Sequence, residues 1–160
     1  MKMFKQFYLF ITLLFFTSCG FSPMLKNVDL SDIKINKIDY SGPSGLTYYL
    51  KSNLNIPINK ALEDAYSLKI NIGESAASVT KNTAGITTEE EITIVINLQI
   101  YNSKGKQIGG ESLNSGRVVS ITNNISTDHE VKRIEKENII IDLIQQLTFA
   151  IRAKIISSQQ

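Results

Sequence analysis

Tryptophan is absent from this chain, histidine and cysteine occur once each, and there are three prolines in 160 residues. Each scarcity removes a class of reading. A lone cysteine closes no internal disulfide, so the chain is not a disulfide scaffold. A nucleophilic or metal role for His129 would need partners, and the body offers no second histidine and no cysteine. His129 lies among charged residues and reads as a solvated residue at a helix start. Long apolar runs are also missing. The one strong run, Phe7 to Phe16, falls well short of the roughly 20 residues that a spanning helix needs.

That run has a different use. Lys2 and Lys5 precede it, and the small residues Thr17 and Ser18 lead from it to Cys19. Charged start, short apolar core and small residues at a cut form a secretory signal peptide over residues 1–18. Its removal also removes the apparent basicity. The leader holds two of the 17 basic residues and no acid, which leaves 15 against 15 and a formal net charge of zero. A chain-wide attraction to nucleic acid is therefore not expected. The remaining 142 residues suffice for one domain with one core.

Cys19 becomes the first mature residue in this reading. A free thiol, an intermolecular crosslink and a lipid attachment point are all open to it. The aromatic–small–small–Cys order of "FTSC" favours the third, an N-palmitoyl and S-diacylglycerol cysteine. One acyl chain binds a membrane marginally, at about 0.8 kcal/mol per buried CH2, whereas several chains anchor firmly.

Past the cysteine, residues 19–31 read as a lipidated tether and 32–157 as a single domain. "IKINKIDY", Ile33 to Tyr40, alternates as a strand until Gly42, Pro43 and Gly45 break it. Leu46, Tyr49, Leu50 and Leu54 have helical spacing, and Pro57 ends that helix. "YSLKINI" places Tyr66, Leu68, Ile70 and Ile72 on one face. "ITIVINLQIY" repeats the pattern with Ile92, Ile94, Ile96, Leu98 and Ile100 against Thr93, Val95, Asn97, Gln99 and Tyr101. Period-2 alternation of this length predicts a sheet with one buried face and one wetter face. Between these strands "SAASVTKNTAGITT" predicts a long hairpin with its tip near Lys81 to Gly85. "NSKGK" predicts a turn, and Ile108 to Ile121 a further strand with Leu113, Val119 and Ile121 in phase.

The period then changes. Ser126, Thr127 and Asp128 offer helix caps, with Glu130 completing a capping box from Thr127. Val131, Ile134, Ile141, Ile144, Leu147, Ile151 and Ile155 predict the apolar stripe of one long helix. The expected fold is α+β, with two helices packed on one face of a mostly antiparallel four-stranded sheet. The acidic run Glu89-Glu90-Glu91 alternates faces along a strand and does not converge its carboxylates. Gly109-Gly110 suits a turn or bulge, with no phosphate-loop pattern around it. Lys132, Arg133 and Lys136 with Glu130, Glu135 and Glu137 read as a solvated mixed-sign helix face. An enzyme is not expected, and neither is a metal or cofactor.

"CGFSPM", Cys19 to Met24, resembles the Cys-Gly-Phe-x-Pro-Leu start of the LPS-assembly lipoprotein LptE family. The order of elements is similar over most of the mature chain, as are the "G-K-x-I-x-G" stretch at 105–110 and the Ser/Asp-rich link into the last helix. The residues carried over are Cys19, Gly20, Phe21 and Pro23. The resemblance implies two helices on a four-stranded sheet, partnership with an outer-membrane β-barrel of the LptD kind as a plug in its lumen, and binding of lipopolysaccharide. It also implies a lipid-anchored protein of the outer membrane, with the body on the periplasmic side or within the barrel, and Gly20 beside the cysteine agrees with outward sorting. Lys81 at the hairpin tip and Arg117 on the returning strand are the candidate contacts to lipopolysaccharide phosphates, since cation–phosphate hydrogen bonds are strong. An auxiliary lipoprotein of an ABC-type lipid transporter has the same anchor and a body of similar shape, and is the alternative reading.

Overall fold

Alternating isoleucines decide the layout. A computed structural model describes residue 30 and residues 32–159. In it β3 (Thr87–Tyr101) turns Ile92, Ile94, Ile96, Leu98 and Ile100 to one side, each 2 % exposed or less. Leu68, Ile70 and Ile72 of β2 (Tyr66–Lys81) lie beside them and are equally buried. Burying one such side chain stabilises the fold by about 1.5–3 kcal/mol, so this slab of aliphatic residues is the main stabilising layer.

The element order is β1 (Ile35–Ser41), α1 (Ser44–Asn53), β2, β3, β4 (Gln107–Ser120) and α2 (Ile125–Ser157). The strands lie in the order β1-β2-β3-β4, with β1 parallel to β2 and the remaining pairs antiparallel. Both helices cover the same face of the sheet, and the fold is α+β as expected. Residues 1–18, the expected signal peptide, lie outside the described residues, as does Cys19. Within the stretch read as tether, Leu30 is described and is buried in the core.

β1 shows how sequence spacing becomes geometry. The apolar residues leading into and along it fall at 33, 35, 38 and 40, which includes one odd step. A bulge between Ile35 and Lys37 absorbs that step and returns Ile38 and Tyr40 to the helix side. α1 ends at Asn53, ahead of Pro57, and buries Leu50 completely. The 82–86 and 102–106 turns have one design. Asn82 and Asn102 each accept two backbone N–H bonds through Oδ1, and Gly85 and Gly105 supply the positive φ that closes the turn.

Two expectations for the last helix need correction. Its cap is Asn124, whose Oδ1 accepts the Thr127 N–H at 3.2 Å, and not Thr127 with Glu130. Asp128 is occupied elsewhere: it accepts from the Thr122 N–H at 2.8 Å and the Thr122 hydroxyl at 2.7 Å. Glu130 accepts from Arg133. The buried stripe matches the expected one in the second half of the helix, where Leu147, Ile151 and Ile155 are buried and Ile144 packs against the core, and is rotated from it in the first half. Ile139, Ile140, Leu143, Leu147, Ala150, Ile151 and Ile155 face the sheet, while Val131, Ile134 and Ile141 stand 37–43 % exposed. The reason is what the sheet offers to the first half of α2. There it presents Glu90 and Glu74, which take Lys132 at 2.7 Å and Lys136 at 2.5 Å.

The turn between β1 and α1 has no room for a side chain. Gly42 has φ +130°, and a Cβ there would stand 2.1 Å from the Ile72 carbonyl oxygen. Gly42→Ala is therefore expected to lower unfolding stability by about 2–4 kcal/mol in a denaturant titration, combining backbone strain with the clash. A loss below about 0.5 kcal/mol, the size of an ordinary surface change, would contradict this close packing.

Candidate interaction surface

Because the helices take one face of the sheet, the other face lies open among the described residues. The strand register arranges it in rows. Ser41, Asn71, Asn97 and Ser112 form one row across all four strands. Asp39, Lys69, Gln99 and Gly110 form the next. Towards the hairpin, Ser75, Thr93 and Gly116 continue the carpet. These side chains are short and mostly uncharged. Asn71 Nδ2 donates to Ser41 Oγ at 2.9 Å, and the Tyr101 hydroxyl donates to Gln99 Oε1 at 2.9 Å. Of the charges present, Lys37 pairs with Asp39 at 2.9 Å, the Lys69 ammonium lies 5.0 Å from the Tyr101 ring centre, and Glu91 forms no ion pair among the described residues. The result is a broad surface of amide and hydroxyl groups, interrupted by Val95 and by the exposed Val118 opposite Glu91.

The β2–β3 hairpin extends this surface past β4, whose last residue, Ser120, meets Glu89. Lys81 is exposed at the end of β2, opposite Thr87, and forms no ion pair among the described residues. Val79 and Ile86 are exposed on the same hairpin.

Arg117 sits elsewhere. It lies opposite Ile92, five β3 positions from Thr87, which is about 17 Å along a strand. Its side chain turns under α2, donating to Asp142 at 2.8 Å and Glu135 at 3.1 Å. These hydrogen bonds raise its pKa above the ordinary arginine value. The structure therefore separates the two candidate phosphate contacts and gives one of them two carboxylate partners. The phase of β4 already contained this result, because residue 117 shares parity with Leu113 and Val119.

The mixed-sign helix face also differs from its solvated reading. Lys132 and Lys136 reach Glu90 and Glu74 across to the sheet, while Arg133 alone stays within the helix, bound to Glu130 and Glu137. Glu89 accepts from the Thr80 hydroxyl at 2.5 Å, on the other face from Glu90, as the alternation requires. His129 is exposed and borders a cleft of about 460 Å³ between the helices, with Tyr48 and Tyr49 opposite. Sequence spacing held no sign of this cleft, since α1 and α2 are distant in the chain.

No protein-family model matches this sequence, and no curated protein matches it. Solved structures do. A minor lipoprotein from Acinetobacter baumannii aligns with a TM-score of 0.59 and 20 % identity, over 75 % of this chain and 91 % of that one. Rare lipoprotein B from Shewanella oneidensis gives 0.55 and 18 %, over 75 % and 98 %. Lipoprotein B from Nitrosomonas europaea, described as uncharacterized, gives 0.53 and 10 %, over 72 % and 81 %. Identities this low show a shared fold, and the three structures compared are of bacterial lipoproteins.

The Thr122–Asp128 contact predicts a pH response. Hydrogen bonds from Thr122 hold the Asp128 carboxyl below its usual pKa in the folded state. The stability it adds is complete above the unfolded value of about 3.9 and is lost as pH falls through the lowered folded value. Asp128→Asn is expected to flatten the acid limb of a plot of Tm against pH below about pH 4. Parallel acid limbs for the two proteins would contradict it.

Proposed function

We propose that this chain is an outer-membrane lipoprotein, anchored through acyl chains on Cys19, which assembles with an LptD-like β-barrel as a plug and helps insert lipopolysaccharide into the outer leaflet. The observation that carries this reading is the open sheet face. Three consecutive rows, Ser41-Asn71-Asn97-Ser112, Gly73-Val95-Asn114 and Ser75-Thr93-Gly116, carry no charge and, apart from Val95 and the glycines, consist of hydrogen-bonding side chains, with Asp39 and Lys69 flanking them at one end and Glu91 at the other. The interior of a large outer-membrane barrel is polar. A surface of amides and hydroxyls fits such a wall through many hydrogen bonds and close shape, without needing one apolar patch.

Three further features support the proposal. The order of residues before Cys19 suits lipid attachment, "CGFSPM" resembles the LptE start, and the fold is one that bacterial lipoproteins use. In this role the chain has no turnover of its own; it positions and occludes. Lys81 is the better placed of the two phosphate contacts, because it projects on the hairpin without an ion-pair partner among the described residues. A phosphate approaching Arg117 has to displace Glu135 and Asp142.

Photo-crosslinking residues at Lys81, Asn97 and Gln99 in living cells test the reading. Each is expected to capture one large β-barrel of the outer membrane, with the captured chain carrying acylated Cys19 by intact mass. Capture of an inner-membrane permease complex would favour the ABC-transporter alternative. No outer-membrane adduct from any of the three positions, with the protein present and lipidated, would overturn the plug.

A further inference from the structure

A formal charge of zero hides a separation of charge along the molecule. Two adjoining cavities, of about 750 Å³ and 360 Å³, open along the β1 edge and the 102–106 turn and share Ala65, Asn102 and Ser103 in their walls. Lys37, Lys51 and Lys60 line the first, and Lys34 and Lys104 the second. Apart from Lys37, which pairs with Asp39 at 2.9 Å, none of these lysines forms an ion pair among the described residues. The acids nearby are mostly engaged. Asp32 pairs with Arg152 at 3.0 Å, and Asp64 accepts from the Ser103 hydroxyl at 2.9 Å, which leaves Glu63 without a partner among the described residues. The acidic end is elsewhere. Glu91 lies ten β3 positions from Tyr101, about 33 Å along the strand, with Glu89 and Glu90 beyond it.

The place and the makeup of this end point to one kind of partner. Leu30, buried just before the first of these lysines, is where the described chain leads back towards Cys19. The two positions are eleven residues apart, and a chain of that length spans at most about 40 Å. An acyl anchor on Cys19 therefore attaches the molecule to a membrane by its lysine end, and not by its glutamate end. Five ammonium groups distributed over two cavities suit a layer of negative charge better than a single anion. Ile58, 48 % exposed, lines the first cavity among them. Lysines on flexible stems around an exposed aliphatic group form a combination that rests on a headgroup layer, with the cations at the phosphates and the apolar group at the acyl boundary.

We propose that this lysine end docks on the anionic phospholipid headgroups of the leaflet that holds the acyl chains, and so sets how the anchored domain stands on its membrane. This docking rests on the acylation of Cys19 proposed above and not on the barrel. It agrees with the plug, because the end that leads to the anchor then stands at the barrel mouth, level with the headgroups of that leaflet, while the hairpin points into the lumen. Each lysine beside an anionic surface strengthens binding by about fivefold. The attraction reaches about 8 Å at physiological salt. The acyl chains supply attachment, and the lysines add orientation.

The test uses the acylated protein, checked by intact mass, on vesicles of phosphatidylcholine alone or with phosphatidylglycerol mixed in, each carrying a quencher on its headgroups. No barrel is present. Ala61 and Ala84 are exposed turn residues at the lysine end and the hairpin tip, and Ala61→Cys and Ala84→Cys each supply one free thiol for a fluorophore once Cys19 is acylated. Quenching at position 61 is expected to rise at least about threefold when phosphatidylglycerol is present, with no change at position 84. The rise is expected to vanish in about 1 M salt, where screening is nearly complete beyond about 3 Å. Combining Lys34→Gln, Lys51→Gln and Lys60→Gln, all at exposed residues without ion pairs among the described residues, is expected to abolish the rise and leave the thermal transition in place. Equal quenching on both vesicles, with the acylated protein floating with each, would overturn the docking, leave the anchor standing and turn the lysine end towards an acidic protein. An equal rise at position 84 would overturn it as well. Loss of the rise on adding inorganic phosphate, at an ionic strength where chloride has no effect, would replace the surface by a discrete phosphate site. A protein without acyl groups that fails to float with either vesicle would bring down the anchor, and the docking with it.

Discussion

The structure depends on one constraint, that β3 buries only one of its faces. Ile92, Ile94, Ile96, Leu98 and Ile100 sit against the helices, while Thr93, Asn97, Gln99 and Tyr101 point away. Because side chains alternate strictly, no shift of one residue is tolerated; it would place five aliphatic groups in water, at about 1.5–3 kcal/mol each. This pins the register of β2 and β4 to β3, and so determines which of their residues reach the open face. The polar rows follow from the apolar ones.

Ionic contacts have a different task. Lys132–Glu90, Lys136–Glu74, Arg117 with Glu135 and Asp142, and Lys154–Glu111 bracket α2 on both sides. All are partly exposed, and pairs of this kind contribute about 0–1 kcal/mol each. They are too weak to hold the layers together beside the aliphatic slab. They are sufficient to choose between rotations of a helix that has isoleucines on more than one side.

That division explains what could be read from the chain. β3, the long hairpin and the returning strand were legible because alternation is local and the turns carry Asn and Gly at the required places. The rotation of α2 was not. Ile139, Ile140 and Ile141 are consecutive, so periodicity permits either neighbouring stripe, and the deciding partners of Lys132 and Lys136 lie far away in sequence, Glu90 being 42 residues from Lys132. The cap was missed for a related reason: Thr127 has the residue type, but Asp128 and Glu130 are already engaged by Thr122 and Arg133. For the candidate site, the β3 part of the open face was visible in advance, while its β1 and β4 rows required the register. Cys19, on which the proposed anchoring rests, lies outside the described residues.

The central claim is that the open face meets another molecule and not bulk water. Asn97 lies in the middle row of that face and is exposed in the isolated domain. A cysteine placed there should react freely with a charged maleimide in the purified protein. In intact outer membranes the same cysteine is expected to react about tenfold more slowly, a factor worth about 1.4 kcal/mol, and to regain its reactivity when the proposed barrel partner is depleted. Equal reactivity in the membrane and in the purified protein would contradict it.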